Sequence, residues 1–261
     1  MQPAVMLQAE TRRNTPTNRP GGVLRTVNWG QVTCPTCRLH DFCLSDGLDA
    51  EGTLEVDALV AARIRLHKGD TLFRSGDRFR SLYAIRSGSC KTVSPSEDGR
   101  DHVAGYHMSG EIIGTDGIGT DRHGCEAVAL EDTEFCAMPF DRLETLGRQN
   151  VRFQHNLHRL LSREIARERE LMLLLGTMTA ERRLAVFLLD LSQRYHARGY
   201  SSCEFVLRMT REEIGSYLGL KLETVSRLFS RFQRDGLLQV QGRVVSLLDH
   251  ASLKRLIDCL S

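Results

Sequence analysis

From Gln149 to Leu175 the chain runs without a glycine or a proline. At about 1.5 Å per residue such a segment makes one helix about 40 Å long, longer than a small domain is wide. Folded units therefore belong before and after it. Taking Ile165 as a core position, a 3.5-residue spacing aligns His158, Leu161, Ile165, Glu168, Met172 and Leu175 along one stripe. Such a stripe suits a two-stranded coil with a second copy of the chain; the alternative is that the same apolar residues cover an adjacent sheet. In a pair of helices Glu168 faces its symmetry mate, where like charges repel and desolvation is costly. The expected homodimer is therefore conditional, with Leu161, Ile165, Glu168, Met172 and Leu175 at its interface.

Ahead of the helix, from Val56 to Phe140, turns recur every eight to twelve residues: His67-Lys68-Gly69-Asp70, Arg74-Ser75-Gly76-Asp77, Arg86-Ser87-Gly88-Ser89 and Met108-Ser109-Gly110-Glu111. Stretches such as Ser81-Leu82-Tyr83-Ala84-Ile85 between them read as strands, and this rhythm indicates an antiparallel sandwich or barrel. Residues 1–30 carry Pro, Thr, Asn, Gly and Arg without hydrophobic periodicity, so they are expected to form a disordered arm.

Between arm and strands lies a cysteine-rich segment, residues 31–50, with Cys34-Pro35-Thr36-Cys37 and then Cys43. Eight cysteines in a chain with no recognisable export signal imply reduced thiols and a cytoplasmic protein, where clustered cysteine means metal binding or redox chemistry. No apolar run approaches the roughly 18 residues needed to cross a bilayer, so no membrane partner is expected. Soft thiolates at this spacing suit zinc and iron–sulfur equally. Phe42, next to Cys43, is expected to shield the centre from oxygen or water.

Beyond the long helix, residues 178–261 carry thirteen Lys and Arg against nine Asp and Glu, although the whole chain has a net charge of only +2. The surplus marks this part as the nucleic-acid side. Thr210-Arg211-Glu212-Glu213 is a capping box that starts a helix. A break at Gly219-Leu220 and a second helix from Leu222 to Phe232 complete a helix-turn-helix. Val225, Leu228, Phe229 and Phe232 form the buried face of the second helix. Glu223, Ser226 and Arg227 are thereby left for a major groove, where Arg reads guanine and Glu accepts from cytosine, each good pair worth roughly 1–3 kcal/mol. The alternative for Glu223 and Arg227, four apart, is an exposed ion pair. Gly236 to Leu247 reads as a β-hairpin wing. Lys221, a poor capping residue, is expected on a phosphate, with Thr210 at the same DNA-facing end.

Roll, long helix and winged helix-turn-helix in this order resemble the cyclic-AMP receptor superfamily. The cysteine set, Glu223-x-x-Ser226-Arg227, Gly69-Asp70-Thr71-Leu72-Phe73 and Ser81 to Gly88 resemble its fumarate and nitrate reduction regulator (FNR) branch. The resemblance spans roughly residues 34–250 and implies an α+β fold: β-roll sensor over 51–148, dimerisation helix over 149–177, DNA-binding domain over 178–261. It further implies a [4Fe-4S] cluster held by Cys34, Cys37, Cys43 and a fourth cysteine, Cys136, with Cys125 the competitor. By the same resemblance the partners are double-stranded DNA with TTGAT and inverted ATCAA half-sites, and RNA polymerase, met through the turn Pro95 to Arg100. The cyclic-nucleotide ligands of other members are not expected. Where they need a Glu this chain has Thr115, and the phosphate-binding Arg-Ser pair reads Gly124-Cys125. No phosphate loop or nucleophile motif points to an enzyme. Cys90, Cys203 and Cys259 read as small core residues.

Overall fold

The computed structural model describes residues 25–26, 33–95 and 101–258. Most of the arm expected to be disordered, the RNA polymerase turn at residues 96–100, and Cys259 lie outside the described residues. Within the arm, Arg25–Thr26 forms a short strand, β1, whose residues pair with Arg65 and Ile64. At these two positions the expectation of a disordered arm is corrected: the bare edge of the first roll strand supplies backbone partners that local composition does not reveal.

Short 3-10 turns carry Cys34–Thr36 and His40–Phe42, and helix α1 follows over Ala50–Leu59, capped by the Asp49 carboxylate on Gly52 N. Eight strands then build the roll: β2 (Ala62–Leu66), β3 (Thr71–Phe73), β4 (Ser81–Ser87), β5 (Ser89–Pro95), β6 (Asp101–Met108), β7 (Ile112–Ile113), β8 (Glu126–Ala129) and β9 (Thr133–Pro139). They form two antiparallel sheets, ordered β1-β2-β9-β4-β7 and β3-β8-β5-β6. Alternating side chains, among them Ile64, Leu66, Phe73, Ile85, Ile113 and Phe135, fill the space between the sheets. Cys90 belongs to this core, as read from the sequence, whereas Cys203 is exposed in a turn and is not a core residue.

The helical stretch divides at Asn150. Helix α2 (Phe140–Gln149) ends there, and α3 (Val151–Thr177) begins, with the Asn150 side-chain oxygen accepting from Phe153 N at 3.1 Å. The boundary expected at residue 149 thus moves two residues on, because asparagine caps a helix as well as glycine breaks one. Only Phe153 and Leu174 of α3 are buried.

Helix α4 (Ala180–Ala197), β10 (Glu204–Val206), α5 (Arg211–Leu218), α6 (Leu222–Arg234), β11 (Leu238–Gln241), β12 (Val244–Leu247) and α7 (His250–Asp258) make the C-terminal domain. Its sheet is ordered β10-β12-β11, and β11 and β12 are the wing. Gly219, at φ +62°, gives the left-handed turn between α5 and α6 that a residue with a Cβ resists. The α+β architecture of roll, long helix and winged helix-turn-helix is the expected one.

Candidate cysteine centre and DNA-reading helix

Strand β9 pairs Cys136 with Arg63 of β2 on one side and Ala84 of β4 on the other. This register aims Cys136 at the outer side of the sheet, where α1 and the 3-10 turns lie across it. Cys34, Cys37, Cys43 and Cys136 line one cavity with Val56, Met138 and other largely apolar neighbours. Cys125, the competing fourth ligand, is elsewhere: its Sγ donates to Asp116 at 3.4 Å. The cavity measures about 40 Å³, room for a few waters. Among the described residues no three His, Cys, Asp or Glu side chains converge closely enough to hold a single metal ion.

The thiols sense one another. Burial, then Cys43 and Asp57, push the Cys34 thiol well up, and burial with the neighbouring Cys136 and Cys37 pushes Cys43 up to about 12. Burial raises Cys136 too, against the opposing pull of the Arg63 and Arg86 charges. Left to themselves these groups stay protonated; a bound cationic metal inverts that preference and makes them thiolates. Four soft donors in an apolar setting, flanked by two guanidiniums, fit an anionic thiolate-ligated iron–sulfur group.

The segment is fastened to three parts of the molecule. Cys34 N donates to Asp57 Oδ1 of α1 at 2.8 Å. From α3, Asn156 Nδ2 donates to the Asp46 and Leu44 carbonyls at 2.6 and 3.2 Å, and Arg159 pairs with Asp46 at 3.2 Å. Phe42 is not itself a lining residue of the cysteine cavity but packs behind Gly110, which is. A Cβ at Gly110 would come within 2.7 Å of the Phe42 Cβ, and the Phe42 ring lies 5.2 Å from the Arg198 guanidinium of the C-terminal domain.

Next to Gly110 sits Glu111, 13 % exposed at its side chain. Arg194 and Arg198 each reach it at 2.7 Å, and Arg167 of α3 at 3.3 Å. Burial alone raises a carboxyl's pKa; the Arg194, Arg167 and Arg198 charges outweigh it and bring Glu111 down to about 2. Roll, long helix and C-terminal domain therefore meet on one carboxylate. Sequence reasoning missed this node. The four-residue spacing of Arg194 and Arg198 was a signal that they share a helix face, but nothing local named their partner.

The expected dimer residues fall as follows. Ile165 and Met172 are 63 % and 71 % exposed, Glu168 is exposed and Leu161 half-buried. Leu175 instead packs partly against the core of the C-terminal domain, and its carbonyl accepts from Arg183 at 2.6 Å.

In the C-terminal domain, Thr210 N donates to Glu213 Oε2 at 2.6 Å while Thr210 Oγ1 accepts from Glu213 N at 3.2 Å. The Thr210 hydroxyl is thus committed to starting α5. Helix α6 buries Val225, Phe229 and Phe232 and leaves Glu223, Arg227 and Ser230 exposed, with Ser226 half-buried. Arg227 Nε donates to the Glu223 backbone carbonyl at 3.3 Å, and no Glu223–Arg227 ion pair forms among the described residues. Arg227 lies with Arg231 and Arg234 along one surface strip. Lys221 occupies the N-cap of α6, is exposed, and makes no side-chain cap bond.

A β-roll joined by a long helix to a winged helix-turn-helix with a basic, exposed second helix defines a DNA-binding transcription regulator. Residues 182–256 match the Crp-like helix-turn-helix domain and residues 63–150 the cyclic nucleotide-binding domain. The chain is 46 % identical to the transcriptional regulatory protein btr of Bordetella pertussis, over 86 % of this chain and 93 % of that one. It is 37 % identical to the fumarate and nitrate reduction regulatory protein of Escherichia coli K12, over 90 % and 94 %. Among solved structures, FixK2 of Bradyrhizobium japonicum superposes with a TM-score of 0.71 at 28 % identity, covering 78 % of this chain and all of that one. The chain belongs to the FNR branch of the cyclic-AMP receptor protein superfamily.

Arg227→Ala is expected to cost about 1–3 kcal/mol of binding to an inverted-repeat operator and to relax selection at the guanine of each half-site. Fluorescence anisotropy against operators with that base exchanged checks both effects.

Proposed function

We propose that Cys34, Cys37, Cys43 and Cys136 hold a [4Fe-4S] cluster and that its presence governs dimerisation and operator binding by Glu223, Ser226 and Arg227. The observation that carries this reading is the convergence of three cysteines from one loop and one from β9 on a single apolar cavity. When bound, the cluster supplies an oxygen-labile link between that loop and the roll. The chain's own residues do the rest. Asn156 and Arg159 tie the loop to α3, and Phe42 presses on Gly110 and Arg198, so the position of the loop is felt both at the long helix and at the C-terminal domain.

With the loop held, α3 presents Leu161, Ile165 and Met172 to a second copy strongly enough to overcome repulsion at Glu168. Two α6 helices then lie about 34 Å apart, one DNA turn, matching an inverted TTGAT…ATCAA repeat. Lys221 contacts phosphate at the start of each reading helix. Without the loop contact the protomers part, and one half-site alone holds too few contacts. The switch works only near balance, because a ligand shifts two states no further than its differential affinity for them. RNA polymerase is the further partner of the DNA-bound dimer, and the protein is cytoplasmic and not an enzyme.

The roll acts without a cyclic nucleotide. Asp116 Oδ2 already accepts from Gly124 N at 2.7 Å and from Cys125 N at 3.3 Å, so an internal carboxylate takes the donors at the position where a phosphate would need them.

Anaerobic isolation tests the reading. Iron and sulfide in each chain, absorbance near 420 nm that bleaches in air, and a dimer that becomes a monomer on bleaching are expected. Glu168→Ala is expected to sediment as a dimer in air. Material isolated without oxygen that contains no iron overturns the cluster; an unchanged sedimentation coefficient for Glu168→Ala overturns the role given to repulsion.

A further inference from the structure

Arg63 stands directly across from Cys136 in the β2–β9 pairing, and cross-strand partners project to the same face of a sheet. Its Nη2 reaches Asp57 Oδ1 at 3.5 Å, the oxygen that also accepts the Cys34 backbone N–H at 2.8 Å. Asp57 therefore joins the guanidinium opposite one cysteine to the backbone of another. The Arg63 Nε is buried and, among the described residues, has no hydrogen-bond partner. A buried guanidinium N–H left without an acceptor costs about 1–3 kcal/mol or more, so an anionic acceptor placed beside Arg63 relieves that cost. Arg86, the other guanidinium beside Cys136, is already paired with Glu134 at 3.3 Å.

We propose that Arg63 is a positioning residue of the cysteine centre: its Nε–H donates to a sulfur of the anionic group held there, while Asp57 orients Arg63 and pins Cys34. The inference rests on the cluster reading above. Hydrogen bonds to cluster sulfurs and local charge set reduction potential and lifetime, and loss of such an outer partner commonly costs 10–100-fold.

The full chain is isolated without oxygen as wild type, Arg63→Leu, Arg63→Lys and Arg65→Leu, the last removing an exposed arginine of the same strand. Iron content, decay of visible absorbance in air and reduction potential of the centre are measured. Arg63→Leu is expected to lose its absorbance about tenfold faster than wild type and to have a lower potential, since the more negative reduced state loses both donor and charge. Arg63→Lys, keeping charge without the planar Nε–H, is expected between the two, and Arg65→Leu with the wild type. Wild-type lifetime and potential in Arg63→Leu overturn the inference; if that variant fails to fold, wild-type values in Arg63→Lys overturn it equally. An iron-free wild type overturns the cluster reading instead, so the two failures are distinct.

Discussion

Cys136→Ala is expected to abolish stable iron retention and to weaken binding to an inverted-repeat operator by about a hundredfold or more, the difference between two engaged half-sites and one. Cys125→Ala is expected to keep both iron and operator affinity. Truncating Cys136 removes the only described cysteine of the roll that faces the Cys34–Cys43 segment, whereas Cys125 is hydrogen-bonded to Asp116 away from that cavity. The two variants remove the same atoms from positions that sequence alone leaves in competition, which makes the comparison decisive. Iron analysis and anisotropy titration under nitrogen provide the measurements. Equal iron content in both variants, or loss only in Cys125→Ala, removes Cys136 from the ligand set.

The second large effect is at Glu111. Glu111→Ala is expected to destabilise the fold by about 3–5 kcal/mol, because it takes the carboxylate from the buried Arg198 guanidinium and leaves Arg194 only the half-exposed Asp190 at 3.2 Å. Chemical denaturation of the metal-free chain reads this directly, and a loss below about 1 kcal/mol shows that the node is not structural. The pH dependence follows from the same depressed carboxyl. In the unfolded chain a glutamate titrates near 4.3, while in the fold Glu111 is held down to about 2. Its contribution is therefore complete above about pH 5, declines as the unfolded chain begins to take up its proton, and is lost as pH falls through 2. Glu111→Ala is expected to flatten the acid limb of the stability profile between pH 5 and 2.

How much of this was legible beforehand depends on the range of the interaction. Local chemistry was readable: the Thr210–Glu213 capping box forms as its spacing dictates, and the left-handed Gly219 separates the two helices of the reader. The pattern of buried Val225, Phe229 and Phe232 likewise follows from the helical period. The Asn150 division was harder, since an uninterrupted run without glycine or proline hides a cap that the asparagine itself supplies. Contacts across long sequence separations were opaque. Asn156 reaches back 110 residues to Asp46, and Arg198 reaches 87 to Glu111; neither leaves a periodic trace. The setting of Phe42 is opaque for the same reason, because adjacency to Cys43 in sequence says nothing about the opening over Gly110 that receives its ring.

Glu213 has a second duty beyond its cap. While Oε2 accepts from Thr210 N, Oε1 accepts from Lys91 Nζ of the roll at 2.7 Å, with both side chains 20 % exposed. The carboxylate that begins α5 is thus also a latch between the reading head and its support. A partly exposed ion pair is worth about 1 kcal/mol or less, a bias of roughly fivefold. It is one brace among several, with Arg208 on Glu131 at 3.0 Å and Val103 N on Ser216 Oγ at 2.9 Å beside it, so the head meets a duplex already propped against the roll rather than swinging on a free hinge.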